Sequence, residues 1–279
     1  MNTNDLKYSS KIIIILLIFF SIISICPLFW LILSSLKTQE EMVSYPPVFL
    51  PEKLKFENYK TALVKIEYFR YLLNTLLLSL IYTIPGTISA AIFGYAFARF
   101  NVYGRDFLFN IVMILLLIPP VSVLLPEYLF FVKFNLIGSY KIWLLWGIGG
   151  NPLFIYLFKQ FFSYFPVDLE EAAILDGCTE YGVLFKIFLP MSKSVIVTVF
   201  ILSFLIVYGD FMGPAIFLSG IRTTLPVAMT TGYVIRNGIL LVPVLLAGIV
   251  LYSIPVILIF IVGQKYYVRG LISSSGTKD

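Results

Sequence analysis

The sequence predicts an all-α integral membrane protein, a single transmembrane domain over residues 1–279 that crosses the bilayer six times. Apolar residues make up 59% of the chain and charged residues 13%, whereas about 25% of the residues in soluble domains are charged. The apolar residues are concentrated in runs of about 20 residues or more, which is enough for a helix to cross the hydrocarbon core. The six runs are residues 12–34, 74–97, 107–126, 140–162, 195–218 and 239–262.

The first run, 12–34, is preceded by Lys7 and Lys11. It is longer than the core of a secretory signal peptide, which has about 7–15 apolar residues, and it lacks an A-x-A cleavage site. We therefore expect an uncleaved membrane helix here. A polar segment, 36–71, follows it and is rich in Lys and Glu and interrupted by prolines.

Spans two to five each contain a pair of residues that disturbs helical hydrogen bonding, because proline lacks a backbone N–H and glycine weakens a helix. Both residues are common in membrane helices, where neighbouring groups satisfy the freed carbonyls, so each pair taken alone has an ordinary structural explanation. Four pairs in four consecutive spans favour a central pathway. They are Pro85-Gly86, Pro119-Pro120, Asn151-Pro152 and Gly213-Pro214.

The longest charged interruption in the second half of the chain is 167–190, VDLEEAAILDGCTEYGVLFKIFLP. Its residues predict a short helix, a turn and a second helix. Asp168 is expected to be the N-cap, with Glu171 completing a capping box. Gly177 suits the left-handed position that ends a helix, and Thr179 is expected to cap the second helix.

The second helix of this segment has apolar residues at helical spacing, namely Tyr181, Leu184, Phe185 and Phe188. In the first helix, Ala172 and Ala173 expose almost no side chain, which permits close approach of a partner. The segment is therefore expected to be a docking element. The alternative is a pair of amphipathic helices at the membrane interface with no partner.

The same segment resembles the EAA signature of the permease subunits of binding-protein-dependent ABC importers, in which E-A-A, a glycine and I-x-L-P occur at fixed spacing. The resemblance implies that the loop 166–193 is cytoplasmic and that its short coupling helix lies in a cleft of the ATP-hydrolysing subunit. The residues that match, and that the resemblance assigns to ATPase coupling, are Glu171, Ala172, Ala173, Asp176, Gly177, Ile187, Leu189 and Pro190.

The resemblance covers essentially the whole chain and is greatest to the permeases of maltose-type carbohydrate importers. Residues 94–100, GYAFARF, with Gly104-Arg105, look like the cytoplasmic turn of that family between spans two and three. The end of the chain is similar to a tail that reaches toward the ATPase, although the three serines 273–275 and Asp279 depart from the family pattern.

Asp210 is the only ionisable residue that we place deep in a predicted span, where a carboxylate costs about 2.5–3.5 kcal/mol on insertion scales. It is expected to face a wet path, although an ion pair with a partner subunit or a position at the outer interface would also explain it. The family carries Trp-Asn where this chain has Tyr208-Gly209-Asp210. The candidate residues for a substrate path are Asn151, Tyr208 and Asp210. The tryptophans Trp30, Trp143 and Trp146 are expected to be interfacial anchors.

Charge does not decide the orientation. With both termini inside, the 20 Lys and Arg residues divide equally between the inner and outer segments, so the positive-inside rule gives no preference. Cytoplasmic termini in a multi-pass cell-membrane protein are therefore expected chiefly from the resemblance.

Composition excludes several classes of function. The chain has no histidine and two cysteines, Cys26 and Cys178, and it has no phosphate-binding loop motif. We therefore expect no catalytic residues, no metal site, no cofactor and no nucleic-acid partner. An ion-coupled secondary transporter and a membrane-embedded enzyme are the alternatives from other classes, and both leave the EAA loop unexplained.

The resulting prediction is the permease subunit of an ATP-driven importer for a sugar, an oligosaccharide or a polyol, and not an enzyme. The resemblance implies two ATP-binding cassette subunits, a second homologous permease and an extracytoplasmic solute-binding protein as partners. Importers of amino acids, phosphate or polyamines share the EAA loop and remain alternatives.

Overall fold

The computed structural model describes residues 3–235 and 238–274, with side chains placed for 13–235 and 238–264. Within these ranges the chain forms helices and turns, and its β-structure is a single isolated bridge between Val234 and Leu240. The all-α prediction is therefore confirmed. The helices are α1 Thr3–Ser35, α2 Gln39–Val43, α3 Glu57–Lys65, α4 Tyr68–Arg99, α5 Arg105–Leu115, α6 Pro120–Lys133, α7 Lys141–Gly149, α8 Pro152–Ser163, α9 Val167–Leu175, α10 Glu180–Val183, a π-helical turn Leu184–Phe188, α11 Leu189–Met191, α12 Lys193–Tyr208, α13 Met212–Phe217, a 3₁₀ turn Gly220–Arg222, α14 Leu225–Gly232 and α15 Val242–Ser274.

The chain divides into two compact units. The first contains the described residues up to Phe69 together with Ala228–Ile254, and the second contains Arg70–Val227 and the described residues from Pro255 onward. The residues expected to bind an ATPase and a substrate all lie in the second unit.

In the first unit, the polar segment that follows α1 is folded by buried hydrogen bonds. The amide of Asn58 donates to the carbonyls of Ser35 and Lys37, both at 2.8 Å. The ammonium of the buried Lys37 donates to the carbonyl of Val48 at 2.7 Å and lies 4.4 Å from the centre of the Trp30 ring. Because these groups satisfy one another, a segment that looked merely polar in the sequence forms a defined structure.

A capping box starts α2 in the same segment. The hydroxyl of Thr38 accepts from the amide of Glu41, and the carboxylate of Glu41 accepts from the amide of Thr38. Glu41 also accepts from the amide of Glu52 at 2.9 Å. These backbone hydrogen bonds favour the ionised carboxylate and hold the pKa of Glu41 below its usual value.

In the second unit, α4 is one continuous helix although Pro85 lies inside it. The pair Pro85-Gly86 therefore does not divide its span, because a proline within a helix removes a hydrogen bond without necessarily ending the helix. The third predicted span is broken. Helices α5 and α6 meet at an angle of 99°, and Pro120 is the first residue of α6.

The fourth predicted span is also divided into two helices. Gly150 separates α7 from α8 with a φ of 74°, which favours glycine, and Asn151 caps α8 by accepting from the amide of Leu153 at 2.9 Å. In the fifth predicted span α12 ends at Tyr208, and Gly213 and Pro214 lie inside the short helix α13. Two of the four pairs, Pro119-Pro120 and Asn151-Pro152, thus lie at helix starts.

Close packing of the second unit depends on two glycines. A Cβ atom on Gly94 would lie 2.5 Å from Cβ of Phe158, and one on Gly147 would lie 2.6 Å from the carbonyl oxygen of Tyr82. The absence of a side chain at these positions lets α4 approach α8 and α7. Two buried clusters fill the contacts, one around Phe158 and one around Trp143.

Among the described residues, three helical segments are long and apolar enough to cross a membrane by themselves, namely Ile13–Ser35, Tyr68–Arg99 and Val242–Gln264. The number rises to five if each of two bent pairs, α5 with α6 and Glu180–Met191 with α12, counts as one crossing. Spans one, two and six are therefore confirmed as long helices. The count of six and the single transmembrane domain stay predictions.

Candidate functional sites

The segment predicted to dock an ATPase, residues 166–193, is here called the docking loop, and it begins with α9. This helix starts at Val167, and its N-cap is Pro166, which makes no side-chain cap hydrogen bond. The prediction that Asp168 caps the helix in a box with Glu171 is therefore wrong, because α9 starts two residues earlier than the capping pattern requires. Asp168 and Glu170 lie instead in the first turn, where negative charge opposes the positive end of the helix dipole.

The end of α9 agrees with the prediction. Gly177 has a φ of 85°, a left-handed conformation that costs glycine little. Its amide donates to the carbonyl of Ile174, and the amide of Cys178 donates to the carbonyl of Ala173, both at 2.9 Å. This pair of hydrogen bonds is a Schellman motif, which ends the helix without unsatisfied carbonyls.

The second helix of the docking loop starts as predicted, because the hydroxyl of Thr179 accepts from the amide of Gly182 at 3.1 Å. Its buried face differs from the prediction. Leu184 and Phe188 are buried, whereas Tyr181 and Phe185 are exposed. The helix packs through a face rotated toward Val183 and widens into a π-helical turn at 184–188, which simple helical spacing does not anticipate.

The residues assigned to ATPase coupling separate into an exposed set and an anchored set. Ala173 is buried, and Ile187 and Leu189 pack against the same buried cluster. Two apolar residues next to the exposed set in the sequence, Ile174 and Leu175, are also exposed, and Leu175 is 87% exposed. The exposed residues of the predicted set are Glu171, Ala172, Asp176, Gly177 and Pro190.

A second candidate site is a cavity of about 510 Å³ in the same unit, here called the central cavity. It lies between α4, α6, α7, the start of α8 and the region where α12 meets α13. Its walls are mostly apolar, with a few polar and aromatic side chains among them, as in small-molecule sites generally. The side chains that bear on its chemistry are Tyr82, Glu127, Trp143, Trp146, Asn151 and Asp210.

Local hydrogen bonds fix the polar groups of the central cavity. Besides capping α8, Asn151 makes a side-chain hydrogen bond with Tyr82, and Trp146 makes one with Glu127. The carboxylate of Asp210 accepts from the amide of Gly213 at 3.1 Å, and it therefore satisfies a backbone group at the start of α13 as well as lining the cavity. These groups are held in place before any ligand arrives.

Two of the three predicted path residues, Asn151 and Asp210, line the central cavity. The third, Tyr208, is buried and stacks on Phe204 with ring centres 5.4 Å apart. Tyr208 is in contact with the protein interior and not with this cavity.

Residues 86–273 match the family model described as "binding-protein-dependent transport system inner membrane component". The chain is also 31% identical over 263 residues to the arabinooligosaccharides transport system permease protein AraQ of Halalkalibacterium halodurans, with 91% of each chain covered. The chain belongs to this family of permeases.

A second relative is the galactooligosaccharides transport system permease protein GanQ of Bacillus subtilis, which is 31% identical over 272 residues and covers 95% of this permease and 94% of its own length. The fold matches a chain from the crystal structure of a bacterial ABC transporter involved in the import of the acidic polysaccharide alginate. That match has a TM-score of 0.75 at 22% identity and covers 96% of this permease and 99% of the other chain. The prediction of an importer permease is confirmed.

Sequence reasoning missed part of the central cavity of the permease. Glu127 lies one residue beyond the predicted end of the third span, so the sequence predicts Asp210 as the only deep carboxylate. Trp143 is 1% exposed, so the expectation of an interfacial anchor is wrong for this residue. The available signal was the spacing of Trp143 and Trp146, three residues apart on one helix face.

Proposed function

We propose that this permease carries a sugar, an oligosaccharide or a polyol along a path that includes the central cavity. Separate ATPase subunits drive it by docking on the exposed face of α9. Membership of the importer family supports the transport role, and the names of the two relatives above, which transport arabino- and galactooligosaccharides, support the substrate class. The observation that carries the proposal is the pairing of an exposed helix face with a preformed, mostly apolar cavity that holds a few fixed polar groups, both in one compact unit.

The docking loop suits a partner that binds and pulls. Ala172 and Gly177 leave room for a partner groove, while Leu175 and Glu171 offer it an apolar and a charged contact. The rest of the loop is anchored in a buried cluster, so that a displacement of α9 reaches the membrane helices. ATP hydrolysis is assigned to two separate cassette subunits, and the pore is completed by a second homologous permease.

The proposed topology has six spans with both termini in the cytoplasm. The docking loop and the turn that contains Tyr103 then lie on the cytoplasmic side, and the folded segment 36–65 lies outside. A solute-binding protein, on which the family depends by description, delivers the substrate to that outer side.

The chemistry of the central cavity favours a ligand rich in hydroxyl groups. Hydroxyls donate to the carboxylates of Glu127 and Asp210, and the partly exposed indole ring of Trp146 offers a surface for the C–H groups of a sugar. None of the described residues that line the cavity is Lys or Arg. An acidic sugar would therefore meet two carboxylates and no compensating cation, which disfavours it.

A cationic solute is the second candidate, because the same two carboxylates would attract an amine. The two candidate substrates differ in charge. A competition assay distinguishes them, because a polyamine inhibits uptake of a neutral oligosaccharide only if the polyamine also binds the path.

The docking prediction concerns Gly177→Leu. The substitution strains a left-handed residue by about 1–2 kcal/mol and places a bulky side chain on the face that the ATPase approaches. No atom of the described chain lies within 4 Å of the position of its Cβ. We expect the ATPase to be lost on co-purification while the permease still inserts.

The matched control is Gly220→Leu, because Gly220 also has a positive φ, of 58°, and open space around it. It carries the same kind of strain outside the docking loop and is expected to retain the ATPase. If Gly177→Leu co-purifies a stoichiometric ATPase and transports normally, the docking assignment is wrong.

Orientation is tested by single cysteines in a background without Cys26 and Cys178. Tyr45 is 96% exposed and Tyr103 is fully exposed, so a cysteine at either position is accessible. A membrane-impermeant maleimide is expected to label Tyr45→Cys in intact cells and to label Tyr103→Cys only after the membrane is permeabilised. The reverse pattern would place the docking loop outside, where no ATP is available.

The substrate prediction concerns Glu127→Gln, which keeps the shape of the side chain and removes its charge. A hydrogen bond to a charged group contributes about 1.5–3 kcal/mol, so the apparent KM for a neutral oligosaccharide is expected to rise about tenfold or more. Uptake into proteoliposomes with a saturating binding protein measures it. The exposed Glu57→Gln, which lies outside the cavity, serves as the control. An unchanged KM in Glu127→Gln would remove this residue from the path.

A further inference from the structure

Arg99, the last residue of α4, is buried among groups that belong to other helices. Its Nη2 donates to the carbonyl oxygens of Phe162 at 3.0 Å and Phe165 at 2.6 Å, at the end of α8. Its Nε lies 3.7 Å from Oε2 of Glu170 in α9, and the guanidinium lies 4.8 Å from the centre of the Phe188 ring. One side chain thus joins α4 to α8, α9 and the π-helical turn.

Tyr95, one turn earlier on α4, holds the same carboxylate from the other side. Its hydroxyl lies 3.3 Å from Oε1 of Glu170 and 3.4 Å from the carbonyl oxygen of Glu180, the first residue of α10. Its ring packs edge-on against Phe162 and Phe188, with centres 6.0 and 5.3 Å apart. Glu170 is therefore fixed by both a cation and a phenol.

These contacts are shielded from water. The side chains of Arg99 and Glu170 are 7% and 16% exposed. An ion pair in such a place is costly to break, since removing one partner leaves the other charge buried without compensation. The guanidinium also suits the end of α8, because the helix dipole is negative there.

The helix that carries this cluster also reaches the central cavity. Tyr82 lines the cavity, and Tyr95 lies 13 residues further along the unbroken helix α4, a distance of about 20 Å at 1.5 Å per residue. If a movement of α9 displaces Arg99 and Tyr95, it therefore also displaces Tyr82 in the cavity wall, because all three residues lie on the same helix.

We propose that Tyr95, Arg99 and Glu170 form a clamp that transmits the displacement of the docking loop to α4. This inference rests on the proposed docking of an ATPase at α9 and goes beyond it. The three residues are positioning residues. They do not touch the ATPase or the substrate, and they set how much substrate moves for each ATP hydrolysed.

The first test substitutions change the clamp as little as possible. Arg99→Lys keeps the charge and loses the planar fork that reaches two carbonyls and a carboxylate together. Glu170→Gln keeps the shape and removes the charge, and Tyr95→Phe removes one hydroxyl. If the lysine variant fails to fold, the other two still decide the question.

The measurement is made on the whole complex in proteoliposomes, with the solute-binding protein and a neutral oligosaccharide as the probe. ATPase co-purification, ATP hydrolysis and uptake are recorded together. We expect wild-type co-purification and continued hydrolysis, while the substrate moved per ATP falls about fivefold or more, the range of a coupling free energy of 1–3 kcal/mol. The double variant Arg99→Lys/Glu170→Gln is expected to lose no more than the worse single variant, because both act on one clamp.

The matched control is the exposed pair Arg105 and Asp106, whose Nε and Oδ1 atoms are 2.8 Å apart. Surface pairs of this kind contribute little, so Arg105→Lys and Asp106→Asn are expected to keep the wild-type ratio of substrate to ATP.

Two results would overturn the proposal. A wild-type ratio in all the clamp variants would show that the clamp transmits nothing, and loss of the ATPase in them would make it a scaffold for docking. Failure of the docking proposal is separate, since it appears as normal ATPase binding and transport in Gly177→Leu, a variant that leaves the clamp intact.

Discussion

The second unit of this permease, which contains both candidate sites, depends on the contacts of one buried group, the guanidinium of Arg99. It is the point where the end of α4, the end of α8 and the start of α9 meet, because the guanidinium donates to the carbonyls of Phe162 and Phe165 and lies 3.7 Å from the carboxylate of Glu170. Small residues around it permit this convergence. Gly94 brings α4 onto α8, and the buried Ala173 brings α9 onto the same cluster. The buried face of α9 is therefore held by packing and by the ion pair, while its other face is exposed.

The polar groups of the central cavity, like the guanidinium of Arg99, need hydrogen-bond partners because they are at least partly buried. A polar group in the membrane must have a partner, and the polar groups that line the cavity find partners within the chain. Asp210 accepts from the backbone of α13, Asn151 caps α8, and Glu127 is paired with Trp146. Such preorganisation lowers the cost of binding, because the receptor side chains are already ordered. Irregular backbone at Gly150 is consistent with this constraint, because Gly150 lines the cavity.

Local chemistry made some features predictable from sequence, and others depended on distant contacts. Gly177 and Thr179 were predicted correctly because a left-handed terminus and a hydroxyl cap need only their immediate neighbours. The cap was wrongly predicted at Asp168 because the N-cap is Pro166, two residues earlier than the capping pattern suggests. Nothing near Arg99 in the sequence shows that it reaches Glu170, 71 positions away, or that Glu127 shares a cavity with helices after it. Apolar runs in the sequence predicted the long helices correctly. They do not show where a run bends, as between α5 and α6, and so they do not fix the number of membrane crossings.

The central claim is that the exposed face of α9 is where the ATPase binds. A photoreactive amino acid placed at Leu175, which is 87% exposed on that face, tests it most directly when the intact transporter is irradiated in membranes. The account predicts a covalent adduct with the ATPase subunit from Leu175 and none from Tyr45 in the outer segment. An adduct with the ATPase from Tyr45, or a solute-binding protein captured by Leu175, would contradict both the docking site and the topology.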